Sequence, residues 1–349
     1  MAETHTVDPD GGKDYTVLQT AENAQDGDLA GRGVVAFECY NSTTELGPCT
    51  ITGWSNADSS NYVRVFTPLA ERHDGTFGSG GAWIHSTGNV TGVTVGVDYV
   101  RVEGFRISYD NTGGVYGISI PHYHDAVVLD SNLIVTAAAH STLSKGILHI
   151  AIEEPGRTCT IKNNIIYGAG KMHMGISSGG FEEKGNTTSL TSTIQNNTID
   201  NCIGAGITVY ESEEKAEVTH NVTLENNICT NNGTDFSASV ARGTVTGNNN
   251  CSEDATANNW DGSGSIINQT PGDLFATEGS DHNLKAGSNA LAAGKTIAGF
   301  DNDALHLESD NWRPQNSVWD MGALELETLS GGGGLGEGSG LDLSLALNL

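Results

Sequence analysis

The chain has 349 residues, and 43 acidic against 16 basic side chains give it a formal charge of −27. So few cations exclude nucleic acid as the expected partner, because phosphate binding needs clustered Lys and Arg. Forty-six glycines, 6% aromatic residues and no apolar run near the roughly 18 residues of a membrane span leave a soluble, Gly- and Asn-rich all-β chain with no membrane partner expected.

Residues 1–10 carry neither a basic region nor an apolar stretch, so no signal peptide is expected. Residues 15–24 read as a short amphipathic helix that would cover a first coil and block edge pairing, and 1–30 are assigned to an N-terminal arm and cap. Residues 34–39, 50–52 and 62–66 read as early strands. The six cysteines, Cys39, Cys49, Cys159, Cys202, Cys229 and Cys251, show no close pairing and no metal spacing, and are read as free, buried thiols.

From Val102 one phrase recurs: Val102-Glu-Gly-Phe-Arg-Ile107, Leu129-Asp-Ser-Asn-Leu-Ile134, Ile161-Lys-Asn-Asn-Ile-Ile166, Ile194-Gln-Asn-Asn-Thr-Ile199 and Leu224-Glu-Asn-Asn-Ile-Cys229. A worn copy is read at Val245-Thr-Gly-Asn-Asn-Asn250, and the first residues lie 27, 32, 33, 30 and 21 positions apart. Variable periods suit stacked coils with loops of different length. The fourth place, Asn132, Asn164, Asn197, Asn227 and Asn248, is expected to form a structural stack in which amides bond from coil to coil. The sixth place, Ile107 to Cys229, is an expected inward column. A second phrase, Gly117-Ile118, Gly146-Ile147, Gly175-Ile176 and Gly206-Ile207, progresses in step. Together they predict an all-β, single-stranded right-handed parallel β-helix over 31–260, with an N-terminal cap and an irregular C-terminal closure over 261–328.

These Asn-Asn-Ile-Ile phrases resemble the pectate-lyase-like right-handed β-helix superfamily. Asp310-Asn-Trp-Arg-Pro314 followed by Trp319-Asp-Met-Gly-Ala-Leu-Glu325 is similar to an ending common in such repeat proteins. The opening, Lys13-Asp-Tyr-Thr-Val-Leu-Gln19 with Thr67-Pro-Leu-Ala-Glu-Arg-His-Asp-Gly75, looks like the amino-terminal part of bacteriophage-associated, non-catalytic members. The resemblance spans about residues 13 to 327. It implies the fold, and a function among lyases, hydrolases, adhesins and structural virion parts.

Lyases of that fold hold calcium on carboxylates beside a basic residue, and the hydrolases use Asp residues on adjacent coils. The coils contain no Asp-Asp pair, no Asn-Thr-Asp and no Gly-His-Gly, and Arg157, Lys162, Lys171, Lys184 and Lys215 are the main cations between 140 and 220. No catalytic residue and no cofactor is therefore assigned. Six and seven places after the second column lie His124-Asp125 and the pairs Glu153-Glu154, Glu182-Glu183 and Glu213-Glu214. In register these six glutamates would form an acidic column, a candidate for Ca²⁺ or a basic partner surface, against the alternative of a solvated loop edge. His122, His124, His140, His149 and His173 read as polar loop residues, with His122 and His124 spaced for a loose metal site. The tryptophans form no column and read as cap packing.

The tail, 329–349, is a Gly-rich linker followed by Leu341, Leu343, Leu345, Leu347 and Leu349 at strict period two. A lone strand cannot bury such a face, so it is expected to add to another copy of the chain or to another virion protein. The leading expectation is thus a bacteriophage structural protein, a capsid decoration, head-fibre or tail-fibre component made in the host cytoplasm and displayed on the virion. The alternatives are a tailspike-like polysaccharide lyase or glycoside hydrolase, or an adhesin that binds a host glycan.

Overall fold

The structure is a computed structural model that describes residues 2–77, 80–110, 113–121, 124–136, 143–152, 156–181, 188–211, 218–260, 263–297, 304–305 and 319–326. Three parallel sheets stack into a β-solenoid of about seven turns. Among the described residues the first sheet has nine strands, from Glu3–Val7 to Val245–Asn248. The second and third have seven each, from Trp83–Thr87 to Cys251–Ser252 and from Cys49–Ile51 to Thr234–Ser239. One coil runs through Arg157–Lys162, Ile165–Tyr167 and Met174–Phe181, after which Thr188–Gln195 pairs in parallel with Arg157–Lys162.

Register explains both repeated phrases. Ile107, Ile134, Ile166, Ile199 and Cys229 pair in succession and are fully buried. The glycine of the second phrase has no room for a side chain: a Cβ at Gly117, Gly146 or Gly175 would lie 2.6, 2.7 or 2.4 Å from Cγ2 of Ile134, Ile166 or Ile199. The turn between the first and second sheets is made by the residue before the Asn stack. Gly104, Ser131, Asn163, Asn196, Asn226 and Asn249 all adopt left-handed φ, between 52° and 79°, which suits Gly and Asn.

The next residue supplies the stack. Asn132 Nδ2 donates to Asn164 Oδ1 at 3.0 Å, Asn164 to Asn197 at 3.0 Å, and Asn197 to Asn227 at 3.0 Å. Each Oδ1 also accepts the backbone N–H of the asparagine one coil earlier. Asn248 is not part of this stack. Leu224 pairs with Gly247 and Glu225 with Asn248, so the amide that receives Asn227 Nδ2 is Asn250, at 3.0 Å. The last copy starts at Gly247, where the apolar first place has lost its side chain, and an alignment on Val245 sets it two residues early.

The ends differ from the expected outline. Glu3–Val7, expected within an arm, is the first strand of the first sheet and pairs with Val35–Cys39. Helix α1, Leu18–Gln25, forms close to its expected place, with Leu18 and Ala21 buried in the core and Glu22 buried beside them. Glu22 Oε1 accepts Trp54 Nε1–H at 3.0 Å and Thr52 N–H at 2.8 Å. The described part of the C-terminal closure lies along the outside of the second sheet. Leu274, Phe275, Leu284, Ala290 and Met321 pack on Ile228 and Cys251, and Ala304, Ala323 and Leu324 pack on Leu133 and Ile165. His282 Nε2, 3.0 Å from Asp200 Oδ2 with both side chains fully buried, pins this segment. All six cysteines are free and buried.

Candidate functional site

Glu153, Glu154, Glu182, Glu183, Glu213 and Glu214 lie outside the described residues, as do His122, His140 and the five tail leucines. Of the remaining histidines, His124 Nδ1 is 3.5 Å from Asp98 Oδ1, and Arg157 Nη1 donates to the other oxygen of that carboxylate at 3.1 Å. His149 is not a loop residue. It lies in the strand Lys145–Ile152, fully buried, in register with Ile120 on one side and Ser178 on the other.

That position belongs to an inward column, so His149 starts a polar network inside the solenoid. His149 Nδ1 is 3.1 Å from Ser178 Oγ, Ser178 Oγ is 2.9 Å from Ser192 Oγ, and Ser192 Oγ is 2.9 Å from His220 Nε2, all four residues fully buried. Their register neighbours are mostly apolar: Ile120 and Val209 flank the first pair, Cys159 and Val222 flank Ser192, and Leu190 precedes His220. Burial pushes the His149 imidazole down to about 3 and that of His220 to about 4. Both histidines are therefore neutral in the fold while the unfolded chain takes up protons below about pH 6.5. This part of the stability is complete above that pH and falls as pH drops towards 4, on the order of 5 kcal/mol for the pair. Urea titrations from pH 7 to 4 should show that slope in the native chain and a much shallower one in a His149→Ile, Ser178→Val, Ser192→Val, His220→Leu chain; equal slopes would contradict it.

The same strands present a different chemistry outwards. The register rows of the third sheet alternate, so Ser119, Leu148, Ser177 and Thr208 form an outer row beside the inward Ile120, His149, Ser178 and Val209. Leu148 and Ser177 are nevertheless only 4% and 1% exposed, so this face is recessed. At one side Lys145 Nζ sits over the Tyr116 ring, 5.2 Å from its centroid. Burial lowers the Lys145 pKa, and Lys145 makes no ion pair among the described residues. In a chain with 43 acidic side chains, a desolvated lysine with no carboxylate partner among the described residues is out of the ordinary.

At the other side Tyr210 crosses back over Gly179, where a Cβ would lie 2.2 Å from its ring. Burial raises the Tyr210 phenol, the Ser177 hydroxyl opposes that, and the Tyr116 phenol adds to the rise. Thr208 Oγ1 is buried and without a partner among the described residues. From Tyr116 to Tyr210 the patch crosses four strands, about 14 Å at 4.8 Å per step. It carries an amine at one end and a phenol at the other.

Composition and spacing offer no cue to Lys145 as a functional residue. Its signal lies only in alignment: the place before the Gly-Ile phrase holds Tyr116, Lys145 and Met174, so one cation stands in an otherwise uncharged row. Among the described residues no group of three or more His, Cys, Asp or Glu is arranged to hold a metal.

Three stacked parallel sheets define a repeat protein of the parallel β-helix kind. Residues 129–321 match the family model described as "Disaggregatase related", and the chain belongs to that family. No curated protein matches the chain.

Proposed function

We propose that the chain cleaves an aggregate-holding polysaccharide on the outer face of its third sheet, by elimination at a uronate unit. The observation that carries this reading is Lys145, desolvated on the Tyr116 ring and unpaired among the described residues. A lysine whose pKa is lowered is a better base near neutral pH, able to take the proton α to a carboxylate. Elimination also needs an acid for the departing glycosidic oxygen, and the Tyr116 and Tyr210 phenols supply candidates. Hydrolysis by paired carboxylates has less support, since the described part of this face carries no such pair. The family description favours an activity that disperses aggregates over a passive role. Incubation with uronate-containing polysaccharides should release unsaturated ends absorbing in the ultraviolet, at a rate that rises with pH as Lys145 loses its proton. Lys145→Gln should lower kcat by about 10²–10⁴ with an unchanged melting temperature. Equal rates for the two chains would remove Lys145 as the base.

Assembly through the leucine tail onto another copy of the chain or another virion protein is a separate proposal. Deletion of residues 330–349 should leave the circular dichroism unchanged and abolish oligomerisation or incorporation into particles; retained assembly would remove the tail as the attachment element.

A further inference from the structure

We infer a second, esterolytic site on the outer face of the second sheet, built from Ser108 as nucleophile, His85 as base and Asp110 as the group that orients it. Trp83–Thr87 and Arg106–Asp110 pair directly, with Ile84 and Ile107 inward, so Trp83 and His85 stand outward opposite Arg106 and Ser108. Asp110 lies one outward place beyond Ser108. His85 Nδ1 is 2.8 Å from Ser108 Oγ, and His85 Nε2 is 3.7 Å from Asp110 Oδ2.

Trp83 Nε1–H also donates to Ser108 Oγ at 2.8 Å. A hydroxyl oxygen has two lone pairs and one proton, so Ser108 can accept from the indole while it donates to the imidazole. In the proposed site the neutral His85 carries its proton on Nε2, facing Asp110, and Nδ1 receives the Ser108 proton, the arrangement a serine nucleophile requires. A hydrogen bond made only for stability would not need the carboxylate on the far side of the ring. His85 and Asp110 reach solvent, with side-chain exposures of 16% and 45%. Among the described residues the C-terminal segment packs on this sheet at Leu133 and Ile165, one and two coils beyond Ser108.

The reaction balances as an ester hydrolysis. Ser108 Oγ attacks the carbonyl carbon while its proton passes to His85 Nδ1. The C–O bond to the alcohol breaks, the alcohol leaves with that proton, and acyl-Ser108 remains. Water then attacks the acyl carbon, its proton passing through His85 to Ser108 Oγ as the acid and the free serine are released. The Arg106 guanidinium, 4.6 Å from the Trp83 ring centroid and opposite Trp83 in register, is the cation on this face for the developing oxyanion. Among the described residues the apolar surface at the hydroxyl is the edge of Trp83, so the substrate class is a carboxylic ester of a short acyl group, of the acetyl type.

This site shares no residue with the Lys145 face, and it stands or falls separately. The full chain is incubated with p-nitrophenyl acetate and, in parallel, with a fluorophosphonate probe followed by peptide mapping. The expected result is turnover reduced about 100-fold or more by Ser108→Ala and by His85→Gln, and about 10-fold or more by Asp110→Asn, with circular dichroism unchanged. The probe should map to the peptide containing Ser108 in the native chain, and its labelling rate should fall about 100-fold or more in the His85→Gln chain. Turnover in the native chain equal to that of Ser108→Ala, or no label on Ser108, would overturn the site even if a variant failed to fold.

Discussion

Glu211→Ala should destabilise the solenoid by about 4 kcal/mol, seen as a large fall in the urea midpoint. The Glu211 carboxylate is nearly buried and accepts four backbone N–H groups, from His220, Ala241, Arg242 and Gly243, at 2.7 to 2.8 Å. It thereby ties the end of Ala205–Glu211 to Val218–Glu225 and to the loop after Thr234–Ser239. Burial works to raise its pKa, but the four backbone donors outweigh burial and hold it below the usual carboxylate range. A depressed carboxyl contributes stability that is present above its unfolded pKa and is lost as pH falls through the folded value. The loss caused by Glu211→Ala should therefore shrink in strong acid. Glu211→Gln keeps the shape and should cost about half as much, because the amide loses one acceptor and the charge. A change below about 1 kcal/mol for Glu211→Ala would show that water replaces the carboxylate at all four donors.

Asn197→Val should cost about 3 kcal/mol or more. Its Oδ1 accepts both N–H and Nδ2 of Asn164, and its Nδ2 donates to Ile161 O, Gln195 O and Asn227 Oδ1. Valine would leave buried donors on the coil of Asn164 and buried acceptors on that coil, on its own and on the next. Asn248→Val, outside the stack and half-buried, should cost less than about 1 kcal/mol, so the pair of variants checks the register as well as the energy. Equal costs at the two positions would contradict a stack that passes from Asn227 to Asn250.

Much of the solenoid is legible in the sequence because its constraints act at fixed places in each coil. Left-handed turns select Gly or Asn, the stack selects Asn, and strand crossing selects Gly before Ile, so these residues repeat. Glu3–Val7 is not legible, since its partner, Val35–Cys39, lies across the helix and carries no copy of either phrase. His149 reads as polar surface because a histidine in a polar-looking stretch gives no sign of facing inward; only the register with Ile120 and the buried Ser178 does. Lys145, Tyr116 and Tyr210 come from three coils and Ser108 and His85 from two. Sites of that kind use each residue once and leave no periodic trace. Glu211 is hidden in a run with Glu213 and Glu214, because nothing in the sequence marks a structural carboxylate until its hydrogen bonds are known.

Hydroxyl-radical footprinting of the Lys145→Gln chain with an intact uronate polymer tests the polymer face most directly, since loss of the base leaves the bound chain uncut. Protection should fall on Tyr116, Met174 and Tyr210, which flank the outer row of the third sheet, while Tyr62 and Tyr99 beside the first sheet react as in the free protein. Protection of Tyr62 and Tyr99 with Tyr116 and Tyr210 unchanged would place the polymer on the wrong sheet and contradict the proposed site.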